Sequence, residues 1–396
     1  MKIPAWLPVL LGVLTAVGPV STDMYLPAFP AMDRSLHAAA GSAQITLATW
    51  FAGLAVGQMM QGTLSDRYGR RVPLLLGTAV YTLASAGCAL APDMASLSVF
   101  RAVAALGGSA SMVVPRAVVR DLADGHEAAK LMSRLMLVMG AVPILAPTLG
   151  GVVLGFAGWR TIFWIATVYG AACLVLVGAL LPDTLPPGRR VRLRPWALLQ
   201  RFALVARDRG FLSHTLMAGC ASFAVFAFLG GSPPVFIERF GETPTQFGLV
   251  FMGTAGSFIG ASQVNPFALR RFGHGRVIRA ASAVLLLGAA GLMAAAATGE
   301  GGVSGIMLPV LLMFGAMGFI SPNAAVGALS RHAAQAGAAS ALLGTLQFML
   351  GALSGTLIGL LANGTPVPMA AMMLAGAAGV VAADRWRPGT EGSKQG

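Results

Sequence analysis

Apolar stretches of about 20 residues recur along the whole chain, separated by short polar breaks. About 20 apolar residues are what a helix needs to cross a bilayer core. Twelve segments qualify, at roughly 5–26, 42–64, 72–91, 95–119, 132–156, 161–181, 211–236, 246–268, 277–297, 304–329, 337–362 and 366–384. The pattern predicts an all-α polytopic membrane protein with 12 transmembrane helices. An even number of crossings places both termini on one side. The longest break, residues 182–210, carries Pro182, Pro186, Pro187 and Pro195 and is expected to be a stiff, irregular, basic cytoplasmic linker. It divides the chain into six helices plus six, residues 1–181 and 211–396.

An internal repeat supports that division. The break after the second segment reads Gly62-x-Leu64-x-Asp66-Arg67-Tyr68-Gly69-Arg70-Arg71, and the break after the eighth reads Arg270-Arg271-Phe272-Gly273-His274-Gly275-Arg276. Aligning Gly69 with Gly273 pairs Arg67 with Arg271 at an offset of 204 residues, close to half the chain. Two pseudo-symmetric six-helix bundles with a site near the midplane between them are a transporter plan.

Composition agrees with the pattern. The chain is 56% hydrophobic and 10% charged, against about 25% charged in soluble domains. The net charge of +13 is not a nucleic-acid signature, because 22 of the 27 Lys and Arg lie toward one predicted side, in breaks, tails or the first residues of an adjoining segment. Only Arg34, Arg160 and Arg239 fall on the other, and Arg101 and Arg116 lie inside the fourth segment. This is the positive-inside bias, and it puts both termini in the cytoplasm. The basic run of the linker reads as a topology anchor and a contact for anionic lipid. The start of the chain has the outline of an export signal, but Asp23 and Tyr25-Leu26-Pro27 make a poor cleavage site, so it reads as the first transmembrane helix. Cys88, Cys173 and Cys220 lie far apart in apolar segments, without disulfide or metal spacing.

Asp23 is the one acidic residue inside the long apolar segments, Asp384 standing only at the last position of the twelfth. An ionisable group at membrane depth is a functional candidate by default. Its place near the outer end of the first segment leaves a second reading, a helix-end carboxylate that reaches water. In the break after the second segment, Asp66 is expected to face a helix N-terminus or an arginine. Arg67, Arg70 and Arg71 are expected to pair with carboxylates such as Asp121, beside Arg120. Arg116 is assigned to the same charged region. Gly62 is expected to allow close helix approach, and Gly69 a positive φ. The fifth segment carries Pro143-Ile-Leu-Ala146-Pro147-Thr-Leu-Gly150-Gly151, small residues for close packing and prolines to bend the helix.

These motifs resemble those of the major facilitator superfamily: its loop 2–3 signature, and its antiporter motif with Ala146 in place of the first glycine. Thr22-Asp23-Met-Tyr25-Leu-Pro27, Gly158-Trp159-Arg160, Pro322-Asn323 and Gly337-x-Ala-Ser340-Ala-x-x-Gly344-x-x-Gln347 are similar to the bicyclomycin-resistance subfamily of drug:proton antiporters. The resemblance covers nearly the whole chain. It implies a bacterial inner-membrane exporter of small, largely apolar compounds, worked by alternating access and driven by the proton gradient, with no cofactor, no metal and no enzymatic activity. It implies that Asp23 carries the proton and Arg101 tunes it. Asp66, Arg67, Arg70, Arg71, Arg120 and Asp121, with Gly62 and Gly69, would form a cytoplasmic gate. Asp23, Tyr25, Trp50, Arg101, Phe223, Phe226, Asn323 and Gln347 would face substrate. The expected partners are drug-like molecules, protons and lipid, in a monomer. A sugar or amino-acid exporter or symporter is the alternative, and a non-transporting receptor or scaffold a third reading.

Overall fold

The computed structural model describes residue 4 and residues 6–123, 125–190 and 195–388. Lys2, Arg192, Arg194 and Lys394 lie outside them. The described chain folds into α1 (Leu7–Asp23), α2 (Phe29–Ser35), α3 (Ser42–Tyr68), α4 (Arg71–Leu90), α5 (Met94–Leu122), α6 (Gly125–Ala157), α7 (Trp159–Leu180), α8 (Pro195–Ala206), α9 (Arg209–Pro233), α10 (Pro244–Phe272), α11 (His274–Thr298), α12 (Gly302–Leu329), α13 (Ala336–Leu360) and α14 (Val367–Trp386).

Among the described residues, eleven helices or helical runs are long and apolar enough to cross a membrane. The twelfth span is α3, whose apolarity is diluted by Gln44, Gln58, Gln61, Asp66 and Arg67. Its 27 residues span about 40 Å at ~1.5 Å per residue. Packing rather than hydropathy defines it, since one face lies on α5 and another on α13. The fold is therefore the twelve-helix arrangement that the pattern predicts.

Three local features differ from the expectation. The first crossing does not end near residue 26: it breaks at Met24–Tyr25, passes through a 3-10 turn at Leu26–Ala28 and resumes as α2. Pro27 and Pro30 sit at the first turns of these short pieces, where a missing N–H costs nothing. The α9 crossing continues past Pro233-Pro234 as a π-type turn through Arg239. The linker is not irregular throughout, because Pro195 opens α8, a 12-residue helix that packs on α13 and α9.

The helix contacts form a two-fold pattern. Matching α1 with α9, α3 with α10, α4 with α11, α5 with α12, α6 with α13 and α7 with α14 turns the packing of one set into that of the other: α3–α5 into α10–α12, α4–α7 into α11–α14, α1–α6 into α9–α13. The two extensive contacts between the sets, α3–α13 and α6–α10, exchange with each other under the same operation.

Those contacts are tightest at the end away from the Asp66–Arg71 loop, here termed the far end. A Cβ at Gly41 would strike the backbone of Gly359, and one at Gly151 the carbonyl of Pro244. Gly248 of α10 abuts Thr148 of α6 in the same way. At the other, basic end, Gly62 of α3 and Gly337 of α13 have nothing within 4 Å of a Cβ position. Midway, Thr345 Oγ1 donates to the Ala55 carbonyl at 3.2 Å. Nearer the basic end no side-chain hydrogen bond or ion pair joins the halves among the described residues. The halves thus meet at the far end and part toward the basic end.

Candidate functional site

Asp23 is the last residue of α1, just before the break in the first crossing. The residue as a whole is buried, 6% exposed. No hydrogen bond or ion pair within 4 Å engages its carboxylate among the described residues. Arg101 therefore does not form a salt bridge with it.

What Arg101 does instead is specific. Its guanidinium lies 4.1 Å from the Tyr25 ring centroid, 4.3 Å from Trp50 and 5.8 Å from Phe163. Its Nη1 donates to the Ser21 carbonyl at 2.9 Å, two residues before Asp23. Nε and Nη2 are buried without a partner, and the residue is 2% exposed. A buried arginine lacking a carboxylate is costly; the aromatic faces offset part of that cost, at about 2 kcal/mol for a desolvated cation–π contact. Tyr25 and Trp50 are thus walls of an arginine cage inside the first half. Phe163, the third wall, ends the Gly158-Trp159-Arg160-x-Ile-Phe163 stretch that carries the resemblance, but nothing in the sequence tied it to Arg101.

The other aromatic residues divide. Phe51 of α3 crosses the gap between halves and lies 3.9 Å, centroid to centroid, from Phe226 and 6.1 Å from Phe348. Gln347 is half-buried beside them on α13. Phe223 is buried in α9, its carbonyl accepting from Ser354 Oγ at 2.8 Å. Phe228 packs with Phe251 and Phe314 inside the second half. Asn323 is committed to helix packing: its Nδ2 donates to Asn265 Oδ1 at 2.9 Å and to the Phe319 carbonyl at 2.8 Å.

The α6 motif lies between Asp23 and the second half. A Cβ on Gly150 would collide with the carbonyl of Met24, the residue after Asp23, and one on Gly151 with Pro244 at the start of α10. Both glycines are thus points where backbones touch. Pro143 and Pro147 fall within α6 on the approach to that contact.

At the basic end the charged residues gather on one arginine. Arg70, 5% exposed, donates from Nε to Asp121 Oδ2 at 2.7 Å and from Nη2 to Asp121 Oδ1 at 3.2 Å. Nη1 donates to Asp66 Oδ1 at 2.7 Å and to Ser65 Oγ at 2.9 Å. The Arg70 backbone N–H donates to Asp183 Oδ1 at 2.9 Å, and Arg190 closes on the other Asp183 oxygen at 2.7 Å. Gly69 has φ +89°, and a Cβ there would also hit Asp183, so two constraints demand glycine. The repeat copy Gly273 has φ +79° but open space around it, so only the turn is kept.

The remaining basic residues do not join this clasp. Arg67 lies over the Tyr68 ring at 5.2 Å, and Arg71 Nη2 donates to the Gly178 carbonyl. Arg116 and Arg120 are exposed and have no ion pair among the described residues, so Arg116 does not belong to the Asp121 cluster. Gly62 makes no close approach. Thr184 Oγ1 also donates to Asp121 Oδ2 at 3.1 Å. Asp183, Thr184 and Arg190 were unreadable as members because they come from the far side of four helices; chain distance conceals them.

Twelve membrane-crossing helices in a two-fold arrangement, parted at one end and closed at the other around a buried carboxylate, define a membrane transporter rather than an enzyme. Residues 11–356 match the Major Facilitator Superfamily, and the chain belongs to that family. It is similar to the uncharacterized MFS-type transporter YdgK of Bacillus subtilis, 31% identical over 92% of this chain and 90% of that protein. It is 30% identical to the bicyclomycin resistance protein homolog of Haemophilus influenzae, over 91% of this chain and 90% of the other. The multidrug resistance protein MdtL of Escherichia coli O81 is 30% identical over 84% and 83%. Among solved structures, the partially occluded inward-open xylose transporter XylE of E. coli superposes with a TM-score of 0.73, at 15% identity and 98% coverage of both chains. The inward-facing, occupied bacterial homolog of the lysosomal transporter Spinster gives 0.72, at 14% identity, over 98% of this chain and 95% of that one.

Proposed function

We propose that this transporter exports small, largely apolar compounds, antibiotics among them, in exchange for protons. Relatives named for bicyclomycin and multidrug resistance at about 30% identity support the substrate class. The observation that carries the coupling is Asp23, a carboxylate buried at the break of the first crossing. Under this reading the basic end faces the cytoplasm of a bacterium, following the positive-inside bias, with both termini on that side.

A negative Asp23 is attracted to the caged Arg101 charge, and a protonated one is not. The change is felt locally at Ser21 and Met24, which hold Arg101 and Gly150 respectively. Gly150 and Gly151 are adjacent on α6, so a shift at Met24 bears on the α6–α10 contact that closes the far end. Proton and substrate occupancy then bias one alternating equilibrium. Phe51, Phe226, Phe348 and Gln347, where the halves face each other, are the proposed substrate contacts.

The test uses the purified chain in vesicles with an imposed pH gradient. Drug addition should release protons, and Asp23→Asn should abolish this while drug binding persists. Undiminished proton movement in Asp23→Asn refutes the assignment.

A further inference from the structure

A groove of about 640 Å³ runs along the second half, between α10, α11 and α12. On α10 it takes up the side that carries Ser257, Ala261, Ala268 and Phe272. Gly248 and Ile259 lie on the opposite side of that helix by its 3.6-residue turn, and they meet Thr148 and Gly140 of α6. The groove therefore faces away from the first half, onto the bilayer. From Ser257 to Phe272 it extends about 22 Å at ~1.5 Å per residue, enough to cover one leaflet of a hydrocarbon core ~30 Å thick.

Two observations state what fits it. The first is charge. The walls are apolar, and Ser257 Oγ is committed to the Leu311 carbonyl at 2.7 Å. Among the described residues Arg276, in the first turn of α11, is the one ionisable group in the lining. It is exposed and makes no ion pair among those residues. Arg271 adds a second guanidinium at the same end, 5.9 Å from the ring centroid of Phe272. The second observation is the internal repeat. At the offset of 204 residues, Ala268 and Ala280 stand where the first half has Leu64 and Leu76, and Arg276 stands where it has Val72. Relative to the first half, the second has two bulky side chains cut to methyls and an apolar one replaced by a guanidinium, all along one groove.

We propose that this groove holds an acyl chain of an anionic phospholipid, with the phosphate on Arg276 and Arg271. A guanidinium pairs with phosphate through two parallel N–H donors, and basic pockets between transmembrane helices suit such headgroups. A zwitterionic lipid is disfavoured, because its ammonium meets guanidinium groups and finds no carboxylate in the lining among the described residues. The site lies off the path between the halves, so the binding does not rest on the exporter reading.

The test is native mass spectrometry of the purified full chain in detergent, with dioleoyl phosphatidylglycerol, dioleoyl phosphatidylcholine and inorganic phosphate as probes. Phosphatidylglycerol should bind at least about fivefold more tightly than phosphatidylcholine. Arg276→Gln should abolish that preference. Arg279→Gln, on the same helix but outside the groove, should leave it intact. Ala280→Leu restores the first half's side chain and should weaken both lipids; Ala280 is exposed, so the larger side chain has room. Equal affinity for the two lipids overturns the proposal. Equal losses in Arg276→Gln and Arg279→Gln reduce the preference to general surface charge and overturn it as well. Lipid affinities unchanged by Ala280→Leu place the lipid outside the groove and refute the assignment. Inorganic phosphate that competes with the lipid, and binds Ala280→Leu as well as the unaltered chain, identifies a bare-anion site and sinks the lipid reading.

Discussion

Removing Asp121 and removing Asp66 should have very different consequences, though both carboxylates lie 2.7 Å from Arg70. Arg70 is 6% exposed at its side chain, Asp121 15% and Asp66 51%. Asp121 receives two charge-assisted bonds in a desolvated setting, each worth roughly 1.5–3 kcal/mol. Its loss strands a buried guanidinium, a change that costs about 3–5 kcal/mol. Asp66 is a half-solvated i,i+4 partner, a class worth about 0–1 kcal/mol. The measurement is a pair of double-mutant cycles, Asp121→Asn with Arg70→Met and Asp66→Asn with Arg70→Met, by reversible unfolding in mixed micelles. The expected coupling energies are about 2 kcal/mol or more for Asp121 and under about 1 kcal/mol for Asp66. Equal couplings, or a larger one for Asp66, would refute the argument that burial sets the strength of the clasp.

Glycines of the two motifs should also separate. Gly62→Ala meets no atom within 4 Å and should leave stability equal or raise it by about 0.5–1 kcal/mol, as for a helical glycine with open space around it. Gly150→Ala drives a methyl into the Met24 carbonyl and should lower the unfolding midpoint by the equivalent of about 1–3 kcal/mol; equal midpoints for the two variants contradict the packing described. The α9 N-cap Asp208 offers a pH test. Burial pushes its carboxyl up, but the Gly210 N–H, the Arg331 charge and the His332 contact outweigh that and hold it below the usual range. A group whose folded value is depressed adds stability that is complete above its unfolded value, near pH ~4, and lost as pH falls through the folded one. Asp208→Asn should therefore flatten the fall in unfolding midpoint below about pH 4; an unchanged slope argues against it. Phe51→Ala removes the ring set between Phe226 and Phe348 and should weaken binding of apolar drugs several-fold in a direct binding assay; unchanged affinity removes that cluster from the substrate path.

The crossings were legible because hydrophobic runs of bilayer length leave little choice of structure. The turn at Gly69 was legible because a glycine between polar residues after such a run signals positive φ, and Asp121 was read correctly as a partner for the loop arginines. That only Arg70 takes it was not, since Arg67, Arg70 and Arg71 look alike in sequence and differ in which side of α3 and α4 they leave from. The Asp23–Arg101 relation was half legible. Two isolated charges at membrane depth suggest each other, but Arg101 answers to rings on three other elements, and aromatic residues abound in any membrane helix. Helix α8 hid behind its prolines, where Pro195 opens a helix instead of preventing one.

The partners of Arg70 all lie between Ser65 and Asp183, and Arg190 is the last residue to join them. All members of the clasp therefore precede α9 in the chain. During insertion, the first half holds every counter-charge it needs to seal its most buried loop arginine while the second half is still on the ribosome. No carboxylate from the later helices is required, and none is left waiting for them. The order of synthesis thus carries the charged loop past its most exposed stage early, and the later six helices assemble onto a partner whose electrostatics are already settled.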